Sequence, residues 1–339
     1  MPVLLITGGA GFIGTNLTRY WLENHPDWQV IVYDKMTYAA SHRNIELFEG
    51  CPRFSFFKGD IADRQSLEPL LARADLIINL AAETHVDRSL MDPESFLRTD
   101  LIGTYNLLEL HRKYRDKKFI QVSTDEVYGS VPEGKATEDS HLNPSSPYSA
   151  TKAGADLLAI AYFKSYGVPV IITRCCNNLG PFQYPEKLIP LLITNALMDL
   201  PLPIYGDGKQ VREWIYVDDH CRALDIIADR GQIGQIYNIG TGYERDNLSI
   251  ATQILNLLNK PLSLIRFVAD RPAHDKRYAL DWQKLKNLGW SPVVPFEEAL
   301  KRTVEFYVSN VTWWREIRES PVFRSYYEAN YGWRFQDSR

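Results

Sequence analysis

Tyr148 and Lys152 stand four residues apart where a helical pattern begins, so both side chains project from one helix face. A phenol is a poor base at neutral pH, with a free pKa of about 10. A neighbouring ammonium stabilises the phenolate, which makes the pair a candidate proton acceptor. A second stretch, Ser123-Thr124-Asp125-Glu126-Val127-Tyr128-Gly129, closes an apolar run. Thr124 offers a hydroxyl to an oxygen undergoing oxidation. Hydride transfer alone needs no adjacent acids, so Asp125 and Glu126 point to a second, proton-transferring reaction. Different surroundings would separate their pKa values, making one the acid and the other the base. Each motif also has a plainer reading, since Tyr-x-x-x-Lys recurs on solvated helices and loop acids usually face water. The surroundings must decide between them.

The chain opens with Thr7-Gly8-Gly9-Ala10-Gly11-Phe12-Ile13-Gly14. Gly8, Gly11 and Gly14 recur every third residue, and Gly9-x-Gly11-x-x-Gly14 lies within the same run. It follows an apolar strand and opens a helix, the context in which a glycine turn lets backbone approach a pyrophosphate at a helix N-terminus. Asp34 ends the next strand, where its carboxylate suits the ribose hydroxyls of NAD and would repel a 2′-phosphate. Lys35 beside it leaves NADP open. Asp60 and Ile61 follow the third strand, and Leu80-Ala81-Ala82-Glu83-Thr84 follows the fourth. Alone each is loop punctuation; in order along one edge they make a dinucleotide site.

These residues need a sheet to hold them. Apolar runs at Val3–Thr7, Gln29–Tyr33, Ser55–Lys58, Leu76–Leu80, Phe119–Ser123, Val170–Arg174 and Gln235–Ile239 read as buried strands. Helical patterns at Phe12–Asn24, Ser66–Ala72, Asp100–Tyr114, Ser149–Tyr166 and Lys187–Leu200 fall between them. The alternation predicts an α/β fold, a Rossmann-type doubly wound parallel sheet, with a smaller mixed α/β substrate-binding lobe. The predicted division is 1–176 with 216–241 for the dinucleotide lobe and 177–215 with 242–339 for the other. A net charge of −4 argues against a nucleic-acid or membrane-surface partner. No apolar run reaches the roughly 20 residues of a bilayer span. Cys51, Cys175, Cys176 and Cys221 form no C-x-x-C pair, so reduced thiols, no metal site and a soluble cytoplasmic protein are expected.

These motifs closely resemble those of the dTDP-glucose 4,6-dehydratases, extended short-chain dehydrogenases, over nearly the whole chain. The marks are TGGAGFIG at 7–14, YDKMTYA at 33–39, NLAAETHVDRS at 79–89, STDEVYG at 123–129 and YSATK at 148–152. NNLGPFQYPEKLIP at 177–190, PLPIYGDG at 201–208, REWIYVDDH at 212–220 and ADRPAHDKRYALD at 269–281 continue them. The resemblance implies that Tyr148, with Lys152 and Thr124, takes the proton of a glucose 4-hydroxyl while NAD oxidises C4. Glu126 then removes the C5 proton, Asp125 protonates the departing 6-hydroxyl, and the hydride returns to C6 from a tightly held NAD. It also implies cofactor contacts from Phe12, Ile13, Asp34, Lys35, Met36, Thr37, Asp60, Ile61, Leu80 to Thr84, Thr99 and Asn178. Implied substrate contacts are Thr84, Asn177, Lys187, Leu188, Pro203, Ile204, Tyr205, Arg212, Asn247, Arg271 and His274, with Arg212 and Arg271 suited to a diphosphate.

Four positions depart from the family pattern: Leu179 for Tyr, Ala273 for Gly, Thr84 for Ser and Asp100 for Asn. Leu179 and Ala273 adjoin the expected nucleotide pocket. A UDP-glucose 4,6-dehydratase, a UDP-sugar 4-epimerase and a non-catalytic NAD-binding regulator are the alternatives. An epimerase needs neither Asp125 nor Glu126, and a silent regulator would have damaged catalytic groups. The resemblance further implies a homodimer formed through helix packing.

Overall fold

The computed structural model describes residues 1–272 and 274–336. Seven strands form the main sheet: β1 (Val3–Thr7), β2 (Gln29–Asp34), β3 (Phe54–Lys58), β4 (Leu76–Asn79), β5 (Lys118–Thr124), β6 (Val170–Cys175) and, much later, Ile236–Ile239. The chain first makes β7 (Asn177–Leu179), β8 (Leu202–Tyr205) and β9 (Val211–Tyr216), so Ile236–Ile239 is β10. The sheet order is β10-β6-β5-β4-β1-β2-β3, and every neighbouring pair is parallel. Strand order therefore reverses between β1 and β4, which opens a crevice at their carboxyl ends. Beneath it, Thr7 Oγ1 donates to Asn79 Oδ1 at 2.6 Å and Asn79 Nδ2 to Gln121 Oε1 at 2.8 Å, tying β1, β4 and β5 together. Such a buried polar ladder fixes register where apolar packing alone would not.

Helices cover both faces. Apolar residues of β1 alternate between two cores, with Leu4 and Ile6 in one and Val3 and Leu5 in the other. That two-sided burial explains why the strands are continuous apolar runs rather than alternating ones. The first helix, Phe12–Asn24, packs close to the glycine turn because Gly14 has no side chain: a Cβ there would stand 2.4 Å from the Gly8 carbonyl oxygen. The helix carrying Tyr148 runs Pro147–Tyr166. Ser146 and Ser149 cap it reciprocally, each hydroxyl accepting the other's backbone N–H, and Pro147 occupies its first turn.

The expected helix Asp100–Tyr114 is two pieces, a π-helical turn Leu97–Gly103 and an α-helix Thr104–Lys113. Asp100 sits in the π-turn, its carboxylate accepting from Thr151 Oγ1 at 2.9 Å and Glu83 N at 3.1 Å. Beyond β6 lie two small sheets, β11 (Glu244–Asp246) with β9 and β7, and β12 (Ile265–Val268) with β8. Helices Leu188–Leu197, Asn247–Leu257 and Phe296–Ser309 pack with them around a separate apolar core. Among the described residues no helix is long and apolar enough to cross a membrane.

Candidate active site

A cleft of about 300 Å³ lies over the carboxyl ends of the main sheet. Gly8, Gly11, Phe12, Ile13 and Gly14 line one end of it. Gly8 has φ of +74°, and a Cβ there would stand 2.5 Å from the Ala81 nitrogen, so the turn admits only glycine. Gly11 caps the first helix without any side-chain hydrogen bond. The helix N-terminus is thus left open to an anion. Asp34, Lys35, Thr37, Asp60 and Ile61 line the same end. The Asp34 carboxylate accepts from Ala10 N at 3.0 Å and Met36 N at 2.7 Å, which fixes it at the strand end. Met36 contributes that backbone N–H, while its side chain packs against the first core. Lys35 pairs with Asp60 at 2.9 Å. Leu80 to Thr84 and Thr99 continue the wall, and Asn178 faces them from β7.

At the centre are Thr124, Asp125, Glu126 and Tyr148, all lining the cleft. Thr124 Oγ1 donates to Asp125 Oδ1 at 3.2 Å and accepts from Glu126 N at 3.3 Å, the cap of the short turn that aims both acids. Burial pushes the Asp125 carboxyl well above its ordinary value, with Glu126 adding to the effect. Its Oδ2 is buried and has no hydrogen-bond partner. Burial raises Glu126 too, but Arg271, Arg212 and Lys187 oppose it. The two acids are therefore unequal: burial and Glu126 favour the neutral form of Asp125, and Glu126 has three cations favouring its charge.

Tyr148 is also buried, and burial, Glu126 and Asp100 push its phenol well above the usual value, against hydrogen bonding from Thr124. Lys152 does not overcome this. Its ammonium donates to the Val122 carbonyl at 2.8 Å, and its Coulombic effect is felt at Asp100, which burial raises to about 6 despite Lys152 and Thr151. Burial, with Asp100 beside it, raises Glu83 to about 7.

The expected substrate residues fall in two groups. Thr84, Asn177, Lys187 and Leu188 line the cleft, with Lys187 Nζ donating to the Thr84 carbonyl. Tyr205, Arg212, Arg271 and His274 do not line the cleft, though Arg271 and Arg212 lie near enough to Glu126 to favour its charge. Arg212 lies over the Tyr278 ring at 4.3 Å and donates to the Asp275 carbonyl. Arg271 pairs with Asp87 at 3.1 Å, and its buried Nε has no partner. His274 Nδ1 meets Asp270 Oδ1 at 2.6 Å, with its ring edge-on to Tyr205. Asn247 heads its helix with a buried, unpartnered Oδ1. Pro203 and Tyr205 occupy one face of β8, whereas Ile204 is turned with Leu202 into the separate core of the smaller sheets. The Ile204 side chain is thus committed to that core, away from the implied substrate contact. Leu179 is fully buried in that same core rather than adjoining the pocket, so its replacement of Tyr alters packing. Ala273 lies outside the described residues.

Several groups escaped the sequence reading. Glu186 lines the cleft and pairs with Arg88 at 2.8 Å; its place next to Lys187 was the available signal. Cys175 and His220 line it as well. Asn178 joins them, donating to Cys175 Sγ at 3.3 Å and meeting His220 Nδ1 through Oδ1 at 2.9 Å. Asp87, which ordinary burial would raise, is held at about 2 by His85, Arg271 and Tyr205. It lies within the quoted stretch 79–89, which did not single it out.

The sheet order, the glycine turn and the crevice at the switch point define a Rossmann-type α/β protein. The chain belongs to the family described as GDP-mannose 4,6 dehydratase, whose model matches residues 5–303. It is 49% identical over 307 residues, 91% of this chain and 99% of the relative, to the low-salt glycan biosynthesis protein Agl12 of Haloferax volcanii. It is 43% identical to the dTDP-glucose 4,6-dehydratase of Salmonella typhimurium, covering 97% of this chain and 98% of that one. Among solved structures it resembles DesIV, a dTDP-glucose 4,6-dehydratase from Streptomyces venezuelae with NAD bound, at 46% identity and a TM-score of 0.91. That match covers 93% of this chain and 99% of that one.

Proposed function

We infer that the chain is an NAD-dependent lyase that converts dTDP-glucose to dTDP-4-keto-6-deoxyglucose and water. The observation that carries this is the unequal acid pair, Asp125 and Glu126, placed with Thr124 and Tyr148 in one cleft. The names of the relatives supply the substrate. The residues fit NAD: a glycine turn that a Cβ would block, an uncapped helix N-terminus, and a carboxylate fixed at the end of β2. Gly8 to Gly14 would hold the pyrophosphate and Asp34 the adenosine ribose, with Asp60, Ile61, Leu80 to Thr84, Thr99 and Asn178 along its length. When bound, the cofactor supplies storage for the hydride taken from C4 and given back at C6, and its oxidised ring adds a positive charge that favours the phenolate.

In this reading Tyr148 receives the sugar 4-hydroxyl proton, with Thr124 hydrogen-bonded to the same oxygen. The 4-ketone so formed acidifies C5, whose proton goes to Glu126 and is given back to C5 by Glu126 once C6 has been reduced. Asp125, whose neutral form burial favours, passes its proton to the 6-hydroxyl as the C6–O bond breaks and water leaves. Arg212 and Arg271 hold the diphosphate. An epimerase has no use for the last two transfers. Incubating the protein with dTDP-glucose and detecting the 4-keto-6-deoxy product by mass spectrometry tests the assignment; a folded, NAD-loaded protein that leaves the sugar unchanged would overturn it.

The lobe division at 1–176 with 216–241 and 177–215 with 242–339 is supported by the separation of the main sheet from the two smaller ones. Homodimerisation is supported by an apolar face on the helices beside the cleft, where Leu97, Ile102, Tyr105, Leu157 and Tyr166 are exposed. Leu157→Glu is expected to give monomers by sedimentation where the parent gives dimers; a monomeric parent would end this reading. A cytoplasmic setting suits the four unpaired thiols, and cell fractionation that places the protein elsewhere would oppose it.

A further inference from the structure

The family match ends at residue 303, yet the chain continues through helix Pro321–Tyr327, a π-turn Glu328–Gly332 and a last turn Trp333–Gln336. We propose that Asn330 and Arg334 in this segment are positioning residues for the nucleotide-sugar site, fixing Arg271 through Asp87 and through the backbone just before it.

Asn330 is buried at 2% exposure. Its Nδ2 reaches Tyr205 OH at 2.8 Å, Asp87 Oδ2 at 3.3 Å and Tyr326 OH at 3.3 Å. Asp87 Oδ2 also accepts from Tyr205 OH at 2.8 Å, while its Oδ1 accepts from Arg271 Nη1 at 3.1 Å. One carboxylate oxygen thus faces the C-terminal segment and the other faces Arg271. Arg334 holds the second route. Its Nη1 donates to the carbonyls of Ala269 at 2.5 Å and Asp270 at 3.1 Å, the two residues before Arg271. Its Nε donates to the Asn330 carbonyl at 2.9 Å, and its guanidinium lies 4.9 Å over the Tyr205 ring. The same turn therefore braces both the partner of Arg271 and its peptide backbone.

Arg271 has an unspent donor, the buried Nε, which an anionic ligand oxygen would satisfy. Arg271 is also the leading cation that favours the charge of Glu126. Loosening Asn330 should therefore weaken nucleotide binding and move Glu126 towards its protonated form. The role presupposes that the site takes dTDP-glucose, as inferred above.

The test measures dTDP affinity by calorimetry, with kcat and KM for dTDP-glucose against pH, in the full-length holoenzyme. Asn330→Ala is expected to weaken dTDP about tenfold and raise KM similarly, with kcat at its optimum changed less than about threefold. The acidic limb of its kcat profile should move to higher pH. Added to Asp87→Asn, Asn330→Ala should cost little more, because both act on one network. Equal dTDP affinity in parent and Asn330→Ala, or fully additive effects, would overturn the positioning role alone. A folded parent that binds no dTDP would overturn the functional reading and this one with it. Should Asn330→Ala not fold, Arg334→Gln loosens the same turn and the backbone before Arg271: weaker dTDP binding supports the positioning role, and unchanged binding overturns it.

Discussion

At the cofactor end of the cleft, most of the wall follows strands of one parallel sheet, and the glycine turn, Asp34 and Asp60 appear in chain order along its edge. At the substrate end, Asp87, Tyr205, Arg271 and Asn330 come from separate stretches of chain, with Asn330 and Asp87 243 residues apart. The first region is repetitive geometry with backbone donors. The second is a side-chain network in which each group is held by another. The proposed chemistry sits between them, on Thr124 to Glu126 and Tyr148. The contrast implies that damage at the cofactor end should appear as lost stability and lost NAD. Damage at the substrate end should appear as lost affinity for the sugar nucleotide.

The largest expected effect lies at the junction. Glu126→Gln and Asp125→Asn should each lower kcat by about 10²- to 10⁴-fold while leaving the fold and NAD content intact. Glu126→Gln should also abolish solvent deuterium exchange at C5, whereas near-normal turnover in either variant would remove the acid–base assignment. Next is Gly8→Ala, which combines a φ of +74° with a Cβ 2.5 Å from backbone. It should destabilise the protein by about 2 kcal/mol or more and release NAD, read by denaturant unfolding and by cofactor recovered on purification. Unchanged stability and NAD content would mean the turn is not the tight cradle described.

The smallest effect concerns pH. Burial raises Glu83 from 4.5 in the free state to about 7, so the folded protein favours its neutral form. That contribution is present below the unfolded value and is lost as pH rises through about 7. Asp100, raised to about 6, acts in the same sense at lower pH. Glu83→Gln should therefore flatten the fall in stability between about pH 5 and about pH 8, by at most about 3 kcal/mol. An unaltered pH dependence would show that Glu83 is charged in the fold.

The cofactor end was legible because its signals are local. A strand, three spaced glycines and an acid at the next strand end can all be read along the chain, and the sheet follows from the alternation. The acid pair was legible for the same reason, since Thr124, Asp125 and Glu126 are consecutive at the end of β5. Their inequality was not, because it comes from Arg212 and Arg271, far along the chain. The single helix expected at Asp100–Tyr114 hid a π-turn, which bends to bring Asp100 against Thr151. Ile204 and Leu179 looked like pocket residues by motif position, yet the small sheets turn them into a core. Lys152 stood where one helix face puts it, but its partner is the Val122 carbonyl. Asp87 lay within the quoted stretch 79–89 without being singled out, and Asn330 lay in no quoted stretch, because their meaning is each other.

The most direct measurement is parallel incubation of the purified protein with dTDP-glucose and with UDP-glucose, with and without added NAD, following product by mass spectrometry. The account predicts a 4-keto-6-deoxy product from dTDP-glucose, much less from UDP-glucose, and turnover without added NAD. A folded, NAD-loaded protein that changes neither sugar nucleotide would contradict it.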